Sequence, residues 1–253
     1  MRLVSWNVAG RIQRQPEQAA VVAAVVPDVV CLQEVTVNSL PLWRASLSEV
    51  GLTHSVTPLD GGRPPKPRRL GVLIASRAPL EPLDPPPDLP WFERAVTARV
   101  DGIEIVDVHS PISPSPHLAK VLTHEAMYAY LAPHDGPIVL AGDLNTPRRT
   151  HEDGTILTFA HDTHGRVREE RGERWVAAES ALVYTLRAEH GWTDVFLDGQ
   201  ERTWTFKENR GGWRLDHILT KGVEASARSY AHEWRLQGLS DHSALVADLA
   251  ERP

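Results

Sequence analysis

The chain has 253 residues, a formal net charge of −6 and a single cysteine, with 42% hydrophobic residues. That length buries well over half of the surface the unfolded chain exposes, so no staple is needed, and the lone Cys31 excludes an internal disulfide. The net acidity excludes a protein that coats nucleic acid through bulk positive charge, and no apolar run approaches the ~20 residues that span a bilayer.

In chain order, residues 2–6 read as a strand leading into Asn7. Residues 16–26 read as a helix opening on Pro16, whose fixed φ suits a first turn. The apolar run 29–33 is a buried strand ending at Glu34, with Cys31 as a small core residue. Asn38 is placed to cap a helix running to about residue 50. Segments 70–75, 95–100 and 103–109 are strand-like, and Asp101-Gly102 between the last two signals a tight hairpin. A helix is expected over 117–131. The buried strand 137–141 opens directly into Gly142-Asp143-Leu144-Asn145, and a further helix covers 175–189. The segments 204–206, 215–219, 225–231 and 244–249 read as strands joined by turns.

Segments 61–69 and 84–90 are rich in Pro and Gly and are expected as loops. The charged, aperiodic stretch 148–174 is expected as a long loop, and loops of that length are usually functional or disordered. With no internal repeat and no break in composition, residues 1–253 are expected to form one domain of the α+β class, two packed sheets flanked by helices. The short, polar start of the chain has no signal-peptide core, which points to a soluble, cytoplasmic protein.

Polar groups recur where these apolar runs stop. Asn7, Glu34, His109, Asp143 with Asn145, Asp216, and Asp241 with His242 each stand at the end of a strand-like run or beside one. Taken singly, Asp143 and Asn145 suit a turn, Glu34 a solvated strand end, and His242 a surface or core histidine. Strand ends that lie side by side project such groups into one space, and the recurrence makes a shared site the better reading. Carboxylates and amide oxygens are hard ligands that favour Mg²⁺ or Mn²⁺, and no cysteine cluster competes for zinc. An Asp beside a His fixes the tautomer and favours the charged imidazole, which can then donate to a phosphoryl oxygen.

The segments Ser5-Trp6-Asn7-Val8, Leu32-Gln33-Glu34, Val106-Asp107-Val108-His109, Gly142-Asp143-Leu144-Asn145-Thr146-Pro147, Arg214-Leu215-Asp216-His217-Ile218-Leu219 and Leu239-Ser240-Asp241-His242 occur in that order. This series resembles the motifs of the endonuclease/exonuclease/phosphatase superfamily, which includes exonuclease III and deoxyribonuclease I. The resemblance implies a four-layer α/β sandwich and a metal-dependent hydrolase of phosphoester bonds using Mg²⁺ or Mn²⁺. It implies Glu34 as principal metal ligand with Asn7 and Asp241 beside it. Asp143 and Asn145 would activate and position water, Asp216 would orient His242, and His242 and His109 would contact the phosphate. Four positions depart from parts of the family. Ala9 stands where some members place a second polar ligand, and Thr36 where abasic-site nucleases often carry Lys. His109 with Ile112 replaces the Tyr and Asn those enzymes favour.

The favoured substrate is nucleic acid, with a small or lipid phosphoester as the alternative and a silent binding module a distant third. Arg68 and Arg69 lie in one basic run, and Arg148 and Arg149 open the long charged stretch. Arg210 and Arg214 alternate with Trp204 and Trp213, so guanidinium groups could hold phosphates while indoles stack on bases. The competing reading is solvated arginines paired internally with acids, and tryptophans that pack in the core. No membrane or protein partner is indicated.

Overall fold

The computed structural model describes residues 1–61, 70–205 and 212–251. Its strands are β1 (Arg2–Asn7), β2 (Val29–Thr36), β3 (His54–Val56), β4 (Leu70–Ser76), β5 (Leu80–Leu83) and β6 (Ala95–Val100). They continue as β7 (Ile103–His109), β8 (Ile138–Asp143), β9 (Thr193–Asp194), β10 (Asp216–Lys221), β11 (Val223–Ala231) and β12 (Ala244–Glu251). The helices are α1 (Gln15–Ala24), α2 (Leu40–Glu49), α3 (Ala119–Leu131), α4 (Gly172–Ser180), α5 (Leu186–Glu189) and α6 (His232–Leu236).

Two six-stranded sheets result, in the orders β11-β12-β1-β2-β4-β3 and β9-β10-β8-β7-β6-β5. Each contains one parallel pair, β1 with β2 and β7 with β8, and is otherwise antiparallel. Alternation along each strand splits its apolar side chains between two layers. Leu3, Val29, Cys31 and Ile74 from one sheet meet Ala98, Ile105, Val139 and Ile218 from the other in a central core. The opposite faces carry Val4, Val30 and Leu32 under α1 and α2, and Val106, Ile138 and Leu140 under α3 and α5. Burial on both faces explains why the runs read as continuously apolar. The outcome is the expected α+β sandwich, helices–sheet–sheet–helices. No helix among the described residues is long and apolar enough to cross a membrane.

Several boundaries differ from the sequence reading. The residue before α2 is Ser39, not Asn38, and the Ser39 hydroxyl turns back to accept from the Thr36 amide at 2.9 Å. His117 and Leu118 both adopt positive φ, 56° and 55°, so α3 starts only at Ala119. The helix expected over 175–189 begins earlier, at Gly172, and passes through a π-helical turn, Ala181–Thr185. The stretch 148–174 is more ordered than expected. It holds a small hairpin, Arg149–Thr150 against Ile156–Leu157, and its turns are closed by backbone hydrogen bonds. Trp204–Thr205 pairs with Gly212–Trp213 as another hairpin.

Arg214 has a different place from the phosphate contact expected of it. It is buried, and its Nη1 and Nη2 donate to both carboxylate oxygens of Asp194 at 2.8 and 2.5 Å. Burial opposes both charges, but the pairing prevails, holding Asp194 well below and Arg214 above their ordinary pKa ranges. His217 completes the cluster, with Nδ1 3.6 Å from Asp194 and Nε2 2.8 Å from the Thr146 carbonyl. Removing one member of a buried pair leaves an uncompensated charge, so Arg214→Met is expected to cost about 3–5 kcal/mol in denaturant unfolding. An exposed phosphate-binding arginine would leave the midpoint unchanged.

His124 on α3 is fully buried and bonded to Ser110 Oγ (2.8 Å) and the Ala178 carbonyl (3.1 Å). Burial, reinforced by the Lys120 charge, lowers its pKa from 6.5 to about 4. Between those values the unfolded chain binds the extra proton, so stability from the neutral ring is complete above pH 6.5 and lost as pH falls toward 4. The stability gap between wild type and His124→Gln is therefore expected to shrink by about 3 kcal/mol from pH 7 to pH 4. A gap independent of pH would contradict the buried neutral ring.

Candidate active site

The site forms where the parallel pairs of the two sheets end side by side. In one sheet Asn7 lies opposite Gln33, and in the other Asp143 lies between His109 and Asp216. Two backbone irregularities aim the side chains. Between Gln33 and Val35 the β2–β4 register slips by one residue, and Glu34 occupies the bulge with φ 62°. The extra residue returns Val35 to the outer core and lets Glu34 project off the strand instead of following the alternation. At the end of β8, Gly142 has φ 132°, and a Cβ there would lie 2.0 Å from the Val108 carbonyl oxygen. Only glycine lets β8 approach β7 closely enough to hold Asp143 beside His109.

Asp143 stands at the centre. Its Oδ1 accepts the Asn145 backbone N–H at 2.9 Å, and its Oδ2 accepts Asn7 Nδ2 at 3.0 Å. His109 Nε2 and His242 Nε2 each lie 3.8 Å from Oδ2. Asn145, at φ 51°, is further tied by Nδ2 to the Ser110 carbonyl at 2.7 Å. His242 Nδ1 meets Asp216 Oδ2 at 2.9 Å, its backbone N–H donates to Ser240 Oγ, and its carbonyl accepts from the Trp6 indole. Burial disfavours the imidazolium, yet the carboxylates of Asp216 and Asp143 outweigh it and push His242 up to about 10. Burial and the neighbouring Asp216 charge raise Asp143 to about 7, against the pull of His242.

Asn7, expected as a metal ligand, is held by its neighbours on both sides of the amide. Its Oδ1 accepts the Ala9 N–H at 2.9 Å, while its Nδ2 faces Glu34 Oε1 at 3.1 Å as well as Asp143. The amide thus spaces the two carboxylates. Glu34 is raised above the usual carboxylate range by burial, with the Asp241 charge adding to the effect and Asn7 and His242 opposing it. Two places suit a cation: the mouth between Glu34 and Asp241, and the group Asp143, Asp216 and His242, whose ligand atoms lie within 4.8 Å of one another.

Arg94 has no counterpart in the sequence reading. It is buried at the start of β6, and its Nη1 donates to His109 Nδ1. A guanidinium can only donate, so the facing ring nitrogen accepts and Nε2 carries the proton, 3.7 Å from Glu34. Burial, then the charges of Arg94 and His242, lower His109 well below the ordinary imidazole value and keep it neutral. An arginine two residues into a short aromatic segment gives no periodic signal, which is why it was missed.

Glu34, His109, Asp143, Asn145, Asp241 and His242 share a cavity of about 430 Å³ with Ile112, Phe159, Trp204, Trp213 and Leu215. Trp204 and Trp213 stack at 4.9 Å with planes 7° apart, and Phe159 meets Trp213 edge-on at 5.1 Å. Both tryptophans therefore line the site as expected, stacked on each other. Arg148 is spent on its own loop, donating to the carbonyls of His161 and Asp162 at 3.0 and 2.9 Å. Arg149 is exposed on the small hairpin. Arg68, Arg69 and Arg210 lie outside the described residues.

Known proteins share this fold. The exodeoxyribonuclease of Streptococcus pneumoniae is 22% identical over 278 residues, covering 98% of this chain and 99% of that protein. Among solved structures, an AP endonuclease from Archaeoglobus fulgidus superposes with a TM-score of 0.69 at 23% identity, over 98% of each chain. A 3'-5' exonuclease from Neisseria meningitidis gives 0.68 at 22% identity, over 98% of this chain and 99% of that one. The Endonuclease/Exonuclease/phosphatase family matches residues 4–242. With nearly the whole chain inside that match, the protein belongs to the endonuclease/exonuclease/phosphatase family of metal-dependent phosphoesterases.

Proposed function

We infer that the protein hydrolyses DNA phosphodiester bonds with a bound divalent cation, Mg²⁺ or Mn²⁺. The observation that carries this reading is a cavity lined both by carboxylates and imidazoles and by the Trp204–Trp213 stack, Phe159 and Ile112. A phosphodiester between nucleosides needs both kinds of lining: donors for the phosphate, and apolar surface for the sugar and base that flank it. The similar proteins named exodeoxyribonuclease, AP endonuclease and 3'-5' exonuclease support DNA as that substrate.

The donor set fits a hard cation. Glu34 and Asp241 direct like charges at one mouth of the cavity, and among its described lining residues there is no thiol. Those two carboxylates would hold the ion, with Asn7 keeping Glu34 in place. The Asp143–Asp216–His242 group is the weaker choice, because its imidazole nitrogen is protonated and donating. A bound cation offsets the charge of the phosphate and polarises its oxygens.

The chain's own groups then have separate tasks. Asp143, raised to about 7, takes the proton of the attacking water, and Asn145 fixes its orientation through the backbone N–H. His242, protonated and held by Asp216, donates to the phosphoryl oxygen on which negative charge grows. His109 offers its Nε2–H as a second, neutral donor.

Cleavage of labelled DNA oligonucleotides is expected to stop on chelation and to return with Mg²⁺ or Mn²⁺. Glu34→Ala, Asp143→Ala and His242→Ala are each expected to lower turnover at least ~10²-fold in single-turnover assays. Near-normal rates for Asp143→Ala and His242→Ala would sink the assignment of roles. Phosphate release from inositol phosphates, with oligonucleotides left intact, would redirect the substrate to small phosphoesters.

With Arg148 and Arg214 engaged elsewhere, four of the six arginines expected to grip phosphate remain: Arg68, Arg69, Arg149 and Arg210. Log binding constant against log salt concentration for duplex DNA is then expected to have a slope no steeper than about −4. A flat dependence would show that arginines do not grip the backbone at all.

A further inference from the structure

The tasks assigned above leave one buried ion pair unused. Lys120, in the first turn of α3, and Glu179, near the end of α4, have side chains 1% and 0% exposed, with Nζ 2.5 Å from Oε1. Buried pairs are weak contributors to stability, since the lost hydration of two charges offsets most of their attraction, and apolar residues of like volume often serve equally well. The reason for this pair lies in what else it binds.

Lys120 Nζ donates to the Asn145 carbonyl at 2.7 Å and to Ser113 Oγ at 3.4 Å, and it stands 4.9 Å from the centre of the Phe159 ring. Glu179 Oε2 accepts the Phe159 backbone N–H at 2.6 Å, and Oε1 accepts the Trp175 indole at 2.9 Å. Two cavity walls therefore depend on one pair. Asn145, in a conformation that side-chain-bearing residues seldom adopt, has three anchors, and the ammonium is the one on its carbonyl. Phe159 is held at ring and backbone alike, and it supports the Trp213 face of the stack.

We propose that Lys120 and Glu179 are positioning residues for the phosphoester site. They set the Asn145 peptide beside Asp143 and set Phe159 behind the tryptophan wall. Neither touches the phosphate or the cation, so the pair governs turnover and not metal affinity. Its kinetic consequence rests on the nuclease reading above; its structural consequence does not.

The test uses two double variants of the full chain, Lys120→Met/Glu179→Leu and Lys120→Gln/Glu179→Gln, which remove both charges at similar volume. Each is expected to remain folded. Hydrogen exchange at the amides of residues 144–146 and 159 is expected to rise at least ~10-fold over wild type, as the anchored peptides loosen. The turnover number on a DNA oligonucleotide should fall at least ~10-fold while the Mn²⁺ dissociation constant from calorimetry stays within about twofold, since small misplacements cost rate without removing a ligand. Wild-type exchange at those amides overturns the proposal whatever the rate, and so does wild-type turnover in a folded variant. Unfolding of both variants makes the pair a requirement of the fold and also overturns it. If wild type itself leaves DNA intact, the nuclease reading fails, and the exchange measurement alone decides the positioning claim.

Discussion

A carboxylate cannot be taken out of water and left charged without a partner, and Asp143 is 2% exposed with a second buried carboxylate, Asp216, across the register. His242 resolves the conflict by carrying a proton between them, and Asn7 and Asn145 donate to the two oxygens of Asp143. Each of these charges exists because of the others. The imidazolium would be unfavourable at its depth without two carboxylates, and the Asp143 carboxyl would be raised further without it. The fold serves this constraint by ending two parallel strand pairs at the same edge. Acid, amide and imidazole groups then converge on a floor of apolar strands that cannot rearrange without exposing the core.

Much of this was legible in the amino-acid sequence because the same physics writes both patterns. An apolar run that is buried on both faces must stop where the chain meets a polar cavity, so Asn7, His109 and Asp143 each mark the end of a strand, and Glu34 marks the bulge near the end of β2. Asp101-Gly102 likewise announced its hairpin, with φ 49° and 82° at the two residues. The aim of Glu34 was not legible. A one-residue bulge changes the direction of a side chain without altering composition, and Gln33-Glu34-Val35 would read the same with or without it. The orientation of Asn7 was equally hidden. An amide can turn its oxygen or its nitrogen toward a carboxylate, and only the position of the Ala9 backbone N–H decides between them.

The arginines were misjudged for a reason that is general. Arginine is mostly found at the surface, so an arginine between aromatic residues reads as a ligand for phosphate. Its burial is tolerated only with a partner far away in sequence, and Asp194 lies 20 residues before Arg214 with no pattern linking them. Arg148 shows the same limit within a loop, where a guanidinium folds the chain back by capturing two carbonyls. Several arginines of the charged stretch 148–174 are thus engaged within the protein. Arg174 pairs with Glu125, and Arg171 lies over the Trp175 ring at 4.0 Å. The basic character of a segment measures what it can bind, and its own carbonyls and acids are the first candidates.

Arg94 gives a physical meaning to the histidine at position 109. Against a guanidinium, the side chain there must accept on the side facing Arg94 and donate on the side facing the cavity. An imidazole places those two functions on different atoms of one rigid ring, so satisfying the buried cation leaves the donor free for substrate. The neighbouring cation also withdraws electron density from the ring and strengthens that donor, while preventing the ring from gaining a proton of its own. Ile112, 55% exposed among the residues that line the cavity, adds apolar surface where a polar side chain would have offered another hydrogen bond. On the proposed function, the departures at His109 and Ile112 would leave phosphate recognition to the donors beside Arg94. They would shift the rest of the lining toward contacts that apolar sugar and base surfaces can satisfy.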